Sequence, residues 1–239
     1  MFNGKTFLAI IPARGGSKRL PHKNLLMLAG KPLITRTVES ALKSCFIDEV
    51  LVTSDNEQTI DIAKKLGAVA PFKRPAVFSN DMATSSDVIR HTIDYYETEC
   101  NKIFDYIVYL NPTTPLRDER HIDEAIEHLF LNKVDAVISV CELEHPISWT
   151  GTLPDNSDMT DFIKNIDFNS RSQDLPKSYR LNGAIYVCQT DKFKEFNSLF
   201  LRENIYAYKM SRETSVDIDT KIDFLLAEAI LANNEIPKA

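Results

Sequence analysis

Four short runs, Phe7 to Pro12, Val50 to Ser54, Tyr106 to Leu110 and Ala136 to Val140, are almost wholly apolar or β-branched, and segments of helical period separate them. Runs this short and this uniformly apolar suit strands buried on both faces. Strands that alternate with helices build a parallel sheet covered on both sides. The expected fold is therefore α/β: a mostly parallel, Rossmann-like sheet flanked by helices, formed by residues 1–239 as a single domain.

The helix boundaries are written in cap chemistry. Pro32 stands where a first helical residue is welcome, and Leu33, Thr37 and Ala41 continue the period. Asn56 can cap a helix that runs to Leu66 and ends at Gly67. Ser86, followed by Asp87, opens another toward Tyr96, and Asp118 a fourth toward Leu131. Thr220 and Asp223 form a capping pattern ahead of Ile222, Leu225, Leu226, Ala229 and Ile230. The rhythm breaks between Cys141 and Arg180, then resumes with a strand over Ala184 to Val187. Residues from about 141 to 178 read as an inserted arm, and Ile147, Trp149, Leu153, Phe162 and Ile166 within it need a surface to cover them, which predicts a homodimer.

Charge and cysteine usage narrow the function. The chain has 28 Lys and Arg against 34 Asp and Glu, a net charge of −6, which argues against binding nucleic acid through its phosphates. No stretch approaches the roughly eighteen apolar residues that a membrane helix requires. The apolar run from Phe7 meets Pro12, Arg14 and Lys18 where a signal peptide would continue, so a cytoplasmic protein is expected. Cys45, Cys100, Cys141 and Cys188 are far apart with no His at ligand spacing, and four buried, reduced thiols are the simplest reading.

Three of the seven glycines, Gly15, Gly16 and Gly30, fall near the end of the first run, around Arg14, Lys18, Arg19 and Lys23. A glycine turn at the carboxyl end of a central strand lets backbone N–H groups approach an anion, and the four cations supply charge that the acidic chain otherwise lacks. The segment is built for polyphosphate. It is neither a Walker loop nor the dinucleotide fingerprint Gly-x-Gly-x-x-Gly, which removes support from kinase and dehydrogenase readings.

The run Ile11-Pro12-Ala13-Arg14-Gly15-Gly16-Ser17-Lys18, continued by Leu20-Pro21-His22-Lys23-Asn24, resembles the nucleotide-binding loop of the CMP-acylneuraminate synthetases. Further likenesses follow in order: Arg74-Pro75-Ala76, Asp81 to Ser86, Asn111-Pro112-Thr113-Thr114-Pro115-Leu116-Arg117, Arg180 to Tyr186, and Ser215 to Thr220. The Kdo-activating synthetases share the Arg19 to Lys23 pattern, but Lys18, Asn24 and the run Asn182 to Tyr186 resemble the acylneuraminate branch more. The resemblance implies a nucleotidyltransferase fold and transfer of CMP from CTP to the anomeric hydroxyl of a nonulosonic acid, with magnesium and release of pyrophosphate. The alternatives are a CMP-Kdo-type synthetase and a non-catalytic nucleotide-binding regulator.

The same resemblance implies roles. Arg14, Lys18 and Lys23 match positions that hold the triphosphate, with Lys23, Arg14 and Asp219 as the catalytic set. Asn24, Arg74 and Ser85 match contacts to ribose and base. Asn182 and Tyr186 match positions lining the acceptor pocket, and Arg171 resembles an arginine that reaches across a dimer to the sugar carboxylate. Asn111 stands where the sialic acid enzymes usually carry Gln, which turns attention to legionaminic and pseudaminic acids. Asp217 and Asp219 alternate with Val216 and Ile218, so an extended backbone sends both carboxylates to one side, an arrangement suited to a divalent ion. His121 and His128 lie two turns apart, not at metal-binding spacing, and His22 and His145 fall in loops. Tyr95, Tyr96, Tyr106 and Tyr109 read as core or sheet-edge residues.

Overall fold

Phe7 through Ile11 are each at most 1% exposed, which places the first run in the middle of the sheet with helices on both of its faces. The computed structural model describes residues 1–164, 166 and 175–234. Its strands are β1 (Phe7–Pro12), β2 (Met27–Leu28), β3 (Lys31–Pro32), β4 (Glu49–Thr53), β5 (Tyr106–Tyr109), β6 (Ala136–Glu142), β7 (Tyr179–Gln189) and β8 (Ile205–Met210). The helices are α1 (Leu33–Lys43), α2 (Glu57–Leu66), α3 (Ser85–Glu99), α4 (Glu119–Asn132), α5 (Thr160–Lys164), α6 (Thr190–Phe196) and α7 (Lys221–Asn234).

Among the described residues the main sheet has six strands in the order β4-β1-β5-β7-β6-β8, and β2 pairs with β3 in a separate ribbon. Strand β7 runs antiparallel to β5 and β6, while the β1–β4, β1–β5 and β6–β8 pairs are parallel. Alternate side chains of β1 divide between two cores. Phe7, Ala9 and Ile11 pack with Ile34 and Val38 of α1, Ile60 of α2 and Ile126 of α4. Leu8 and Ile10 pack with Ile89 and Ile93 of α3 and Phe193 of α6. Each fully buried Phe, Leu or Ile among them contributes about 1.5–3 kcal/mol. A third, smaller core joins Leu28 and Leu33 to Val216, Ile218 and Ala227 of α7.

The caps explain where the helices start. The Asn56 side chain accepts from Thr59 N–H at 2.9 Å, and Gly67 ends α2 at φ 98°. Asp118 caps α4, and Asp223 accepts from the Thr220 backbone at 2.7 Å. Helix α3 begins at Ser85, because Thr84 and Asp87 close a reciprocal capping box one residue earlier than expected.

Three expectations need correction. The irregular stretch is shorter than Cys141 to Arg180, because β6 continues to Glu142 with Cys141 buried, and β7 already begins at Tyr179. Gly183, at φ 74°, and a register shift between Ile138 and Val140 interrupt the pattern that would have revealed the longer strand. Strand β8 and helix α6 were not anticipated: the outer strand β8 leaves Tyr206 exposed, and α6 is only seven residues long. Cys45 and Cys100 are exposed, and only Cys141 and Cys188 are buried. Among the described residues no helix is long and apolar enough to cross a membrane.

Candidate active site

The carboxyl ends of β1 and β5 open into a cleft of about 510 Å³, the place where open α/β sheets receive their ligands. The glycine turn after β1 forms one wall. The Gly15 N–H donates to Asp55 Oδ1 at 2.8 Å, and a Cβ at this position would come within 3.2 Å of Asn56 Cβ, a tight contact where the loop approaches the end of β4. Asn24 closes the loop from below by donating to the Arg14 carbonyl at 3.0 Å.

Four cations converge on this wall, and two carboxylates hold them. Arg14 and Lys18 both reach Asp81, at 3.1 and 2.5 Å. The hydrogen bond from Lys18 holds the Asp81 carboxyl below the usual range. Arg19 and Lys23 both reach Asp219, at 2.6 and 2.9 Å. Lys23 is 9% exposed, and its ammonium also donates to the Ile218 carbonyl at 2.7 Å. Two carboxylates thus face four cations, which leaves this wall with an excess of positive charge.

Arg74, Ser85 and Tyr109 line the same cleft. Arg74, 4% exposed, is fixed by its backbone N–H to the Ser54 carbonyl and by Nε to Ser79 Oγ, and burial pushes its pKa down while Asp55 opposes the shift. Tyr109 donates to Ser85 Oγ at 3.2 Å, and burial pushes its pKa up to about 12. Its ring meets that of Tyr186 edge to face at 6.1 Å, so Tyr109, assigned no role from the sequence, joins the Ser85 side of the cleft to Tyr186.

The floor is the loop Asn111 to Arg117. Arg117 Nη1 donates to the carbonyls of Asn111 and Thr114 at 3.1 and 2.8 Å, and burial pushes its pKa down to about 9. Asn111 Nδ2 donates to the Gly183 carbonyl at 2.9 Å. The Ile218 N–H donates to the Thr113 carbonyl at 2.7 Å, which lays the segment Val216 to Asp219 against this loop. Val216 and Ile218 turn into the third core at 7% and 0% exposure. Asp219 lines the cleft. Asp217 lies beside Gly183; burial raises its pKa, with Thr113 opposing, and its Oδ1 is buried without a hydrogen-bond partner.

Arg14, Lys18, Lys23, Asn24, Arg74, Ser85, Asn111 and Asp219 therefore share one cleft. Three predicted site residues do not line it: Tyr186 and Asp217 stand outside the cleft lining, and the Asn182 amide is fully buried and bonded to protein groups on both sides, so it does not face the cleft. Arg171 lies outside the described residues. Asp55, Asp81 and Tyr109 were missed as site residues; only the clustering of Asp81 with Ser85 and Ser86 in a quoted motif hinted at the second of these.

The family model described as cytidylyltransferase matches residues 8–234, nearly the whole length that carries this cleft. The chain belongs to the cytidylyltransferase family. This cytidylyltransferase is 36% identical over 227 residues to the pseudaminic acid cytidylyltransferase of Campylobacter jejuni, covering 95% of this chain and 97% of that one. It is 35% identical over 234 residues to the CMP-N,N'-diacetyllegionaminic acid synthase of Legionella pneumophila, at 95% and 97% coverage. Over 221 residues it is 39% identical to the N-acylneuraminate cytidylyltransferase of Streptococcus agalactiae, spanning 91% of this chain and 51% of that longer protein. Among solved structures, a CMP:2-keto-3-deoxy-manno-octonic acid synthetase complexed with CTP superposes with a TM-score of 0.70 at 18% identity, covering 96% and 99% of the two chains. That likeness establishes the nucleotidyltransferase fold of the cytidylyltransferase.

Proposed function

We propose that this cytidylyltransferase transfers the CMP group of CTP to the anomeric hydroxyl of a nonulosonic acid and releases pyrophosphate. The observation that carries the reading is the set of four cations, Arg14, Lys18, Arg19 and Lys23, converging on one cleft at the end of β1. The sugar oxygen forms a bond to the α-phosphorus as the bond to the bridging oxygen of the β-phosphate breaks. Charge gathers on the phosphate oxygens, and cations already fixed around them stabilise it without reorganisation. Arg74 and Ser85, which line the same cleft, serve base and ribose.

Magnesium fits the donor set: Asp219 lines the cleft, Asp217 stands two residues before it, and an ion that takes one or two protein carboxylates and keeps several waters suits such a pair. The unpartnered, buried Oδ1 of Asp217 supports a cation there. Bound magnesium would lower the pKa of the attacking hydroxyl. Arg19 and Lys23, drawn onto the triphosphate, release Asp219 for this role.

The acceptor is an acylneuraminic-, legionaminic- or pseudaminic-type acid, and Asn111 favours the last two. Asn111 is one methylene shorter than Gln, and its amide nitrogen is already tethered to Gly183, so it reaches less far into the cleft. Curated relatives at 35–36% identity bear those two names. The enzyme works in the cytoplasm as a homodimer of single-domain chains, in which the described residues 143–164, beyond the end of β6, form a dimerisation arm. Ile147, Leu153 and Ile163, at 66%, 54% and 44% exposure, support this use of the arm. Sedimentation at micromolar concentration is expected to give a dimer, and a monomer overturns the arm. Incubation with each nucleoside triphosphate, magnesium and a panel of nonulosonic acids and Kdo, read as pyrophosphate, is expected to select CTP and a nonulosonic acid; release with UTP or GTP alone, or with Kdo alone, overturns the reading.

A further inference from the structure

Asn182, 0% exposed, has hydrogen bonds on both sides of its amide. Its Oδ1 accepts from Ser139 Oγ at 2.6 Å and from the Ala184 N–H at 3.1 Å. Its Nδ2 donates to Ser215 Oγ at 2.8 Å and to Met210 Sδ at 3.3 Å. Ser215 is also 0% exposed and passes the tie on, donating to the Ser211 carbonyl at 2.6 Å. Asp217 and Asp219 follow within four residues of this anchor.

The neighbouring residue holds the other half of the site. The Gly183 carbonyl accepts from Asn111 Nδ2 at 2.9 Å and from Thr114 Oγ1 at 3.3 Å, and the floor loop in turn receives the Ile218 N–H on Thr113. The pair Asn182–Gly183 therefore ties β6 and β7 to both segments that meet beneath the cleft. A buried polar network with every member bonded has one low-energy arrangement, and loss of one member leaves a buried donor or acceptor unmatched.

We infer that Asn182 is a positioning residue, which through Ser215 fixes the segment carrying Asp217 and Asp219, and that it makes no contact with the acceptor sugar. The inference rests on the assignment of these two carboxylates to a divalent ion. Partners that orient a metal's ligands change metal affinity by about 10- to 100-fold when removed. A sugar contact would instead change the KM of the acceptor.

The test uses the full chain with Ser215→Ala, Asn182→Ala and Asp217→Asn, each shown to be folded by its melting transition. Mn2+ is titrated in the presence of CTP and followed by electron paramagnetic resonance, and the KM of the acceptor is measured separately. Ser215→Ala and Asn182→Ala are expected to weaken Mn2+ binding about tenfold, and to leave the acceptor KM within about twofold of the parent. Ser215→Ala removes one hydroxyl and decides the matter alone if Asn182→Ala does not fold. Mn2+ binding that is weakened in Asp217→Asn but unchanged in Ser215→Ala overturns the positioning role, as does a large rise in acceptor KM confined to Asn182→Ala. Mn2+ binding unchanged in all three removes the metal assignment itself, and the inference with it.

Discussion

Lys23 Nζ lies 2.9 Å from Asp219 Oδ1 and 2.7 Å from the Ile218 carbonyl, so the nearly buried ammonium joins the basic loop directly to the acidic segment. Lys23→Ala is expected to lower kcat/KM for CTP by about 100-fold or more, the scale of losing a group that meets developing charge. Its cost in stability is about 1 kcal/mol, the scale of a lost hydrogen bond. Steady-state kinetics beside a melting curve check both, and unchanged kinetics would show the loop to be misread.

Asp217→Asn and Asp219→Asn should each reduce turnover by about 100-fold and weaken its dependence on magnesium concentration. The fold should survive, and without metal Asp217→Asn should melt at or slightly above the parent temperature, since the amide removes a charge whose Oδ1 has no partner. Full activity with an unchanged magnesium requirement in both variants would return the pair to a structural role ahead of α7.

Asp81 pairs with both Arg14 and Lys18, the cations that the proposed function assigns to the triphosphate, so under that proposal it competes for them. Its side chain is 50% accessible, so the competition is worth little, and Asp81→Asn should lower the KM for CTP by about two- to fivefold. A KM that rises would mean that the carboxylate supports the bound nucleotide.

Asp105 accepts from Lys5 Nζ at 2.8 Å, Thr6 N–H at 3.0 Å and Thr6 Oγ1 at 2.9 Å, which locks the start of β5 to the start of β1. Burial acts to raise its pKa, but the hydrogen bonds from Lys5 and Thr6 outweigh it, and the pKa lies below the ordinary value. The stabilisation is therefore complete above the unfolded value, about 3.9, and is lost as pH falls through the folded one. With 35% of the side chain open to solvent, Asp105→Asn should cost no more than about 1 kcal/mol at pH 7. Denaturant titrations at pH 7 and pH 3 should show the difference shrinking at the lower pH; a constant difference would mean that charge is not its source.

Cys45 and Cys100 are exposed, whereas burial raises the Cys188 pKa to about 12 and Cys141 sits within β6. An aromatic disulfide reagent should titrate two thiols rapidly in the native protein and the other two only after unfolding. Four slow thiols would contradict the placement of Cys45 and Cys100.

The sequence by itself determined the elements whose signal is local. Phe7 to Pro12 is apolar at every position because helices cover both faces of a central strand, and Asn56 with Gly67 marks the ends of α2 because caps bond their own helix. Resemblance of the motifs also gathered the cations of the basic loop and Asp219 into one site before any fold was known. Only the tertiary structure decided what depends on distant partners. Strand β7 passes through Gly183 at a positive φ, so its true extent is visible only in its pairing with β6. Whether a cysteine is buried depends on which face its element turns inward, and Cys45 and Cys100 lie just beyond helix ends. Asp81 and Arg14 are 67 residues apart in the chain, and Asn182 and Ser215 are 33 apart. In each pair the side chain could have faced substrate or protein, and the packing of the strands around it chose.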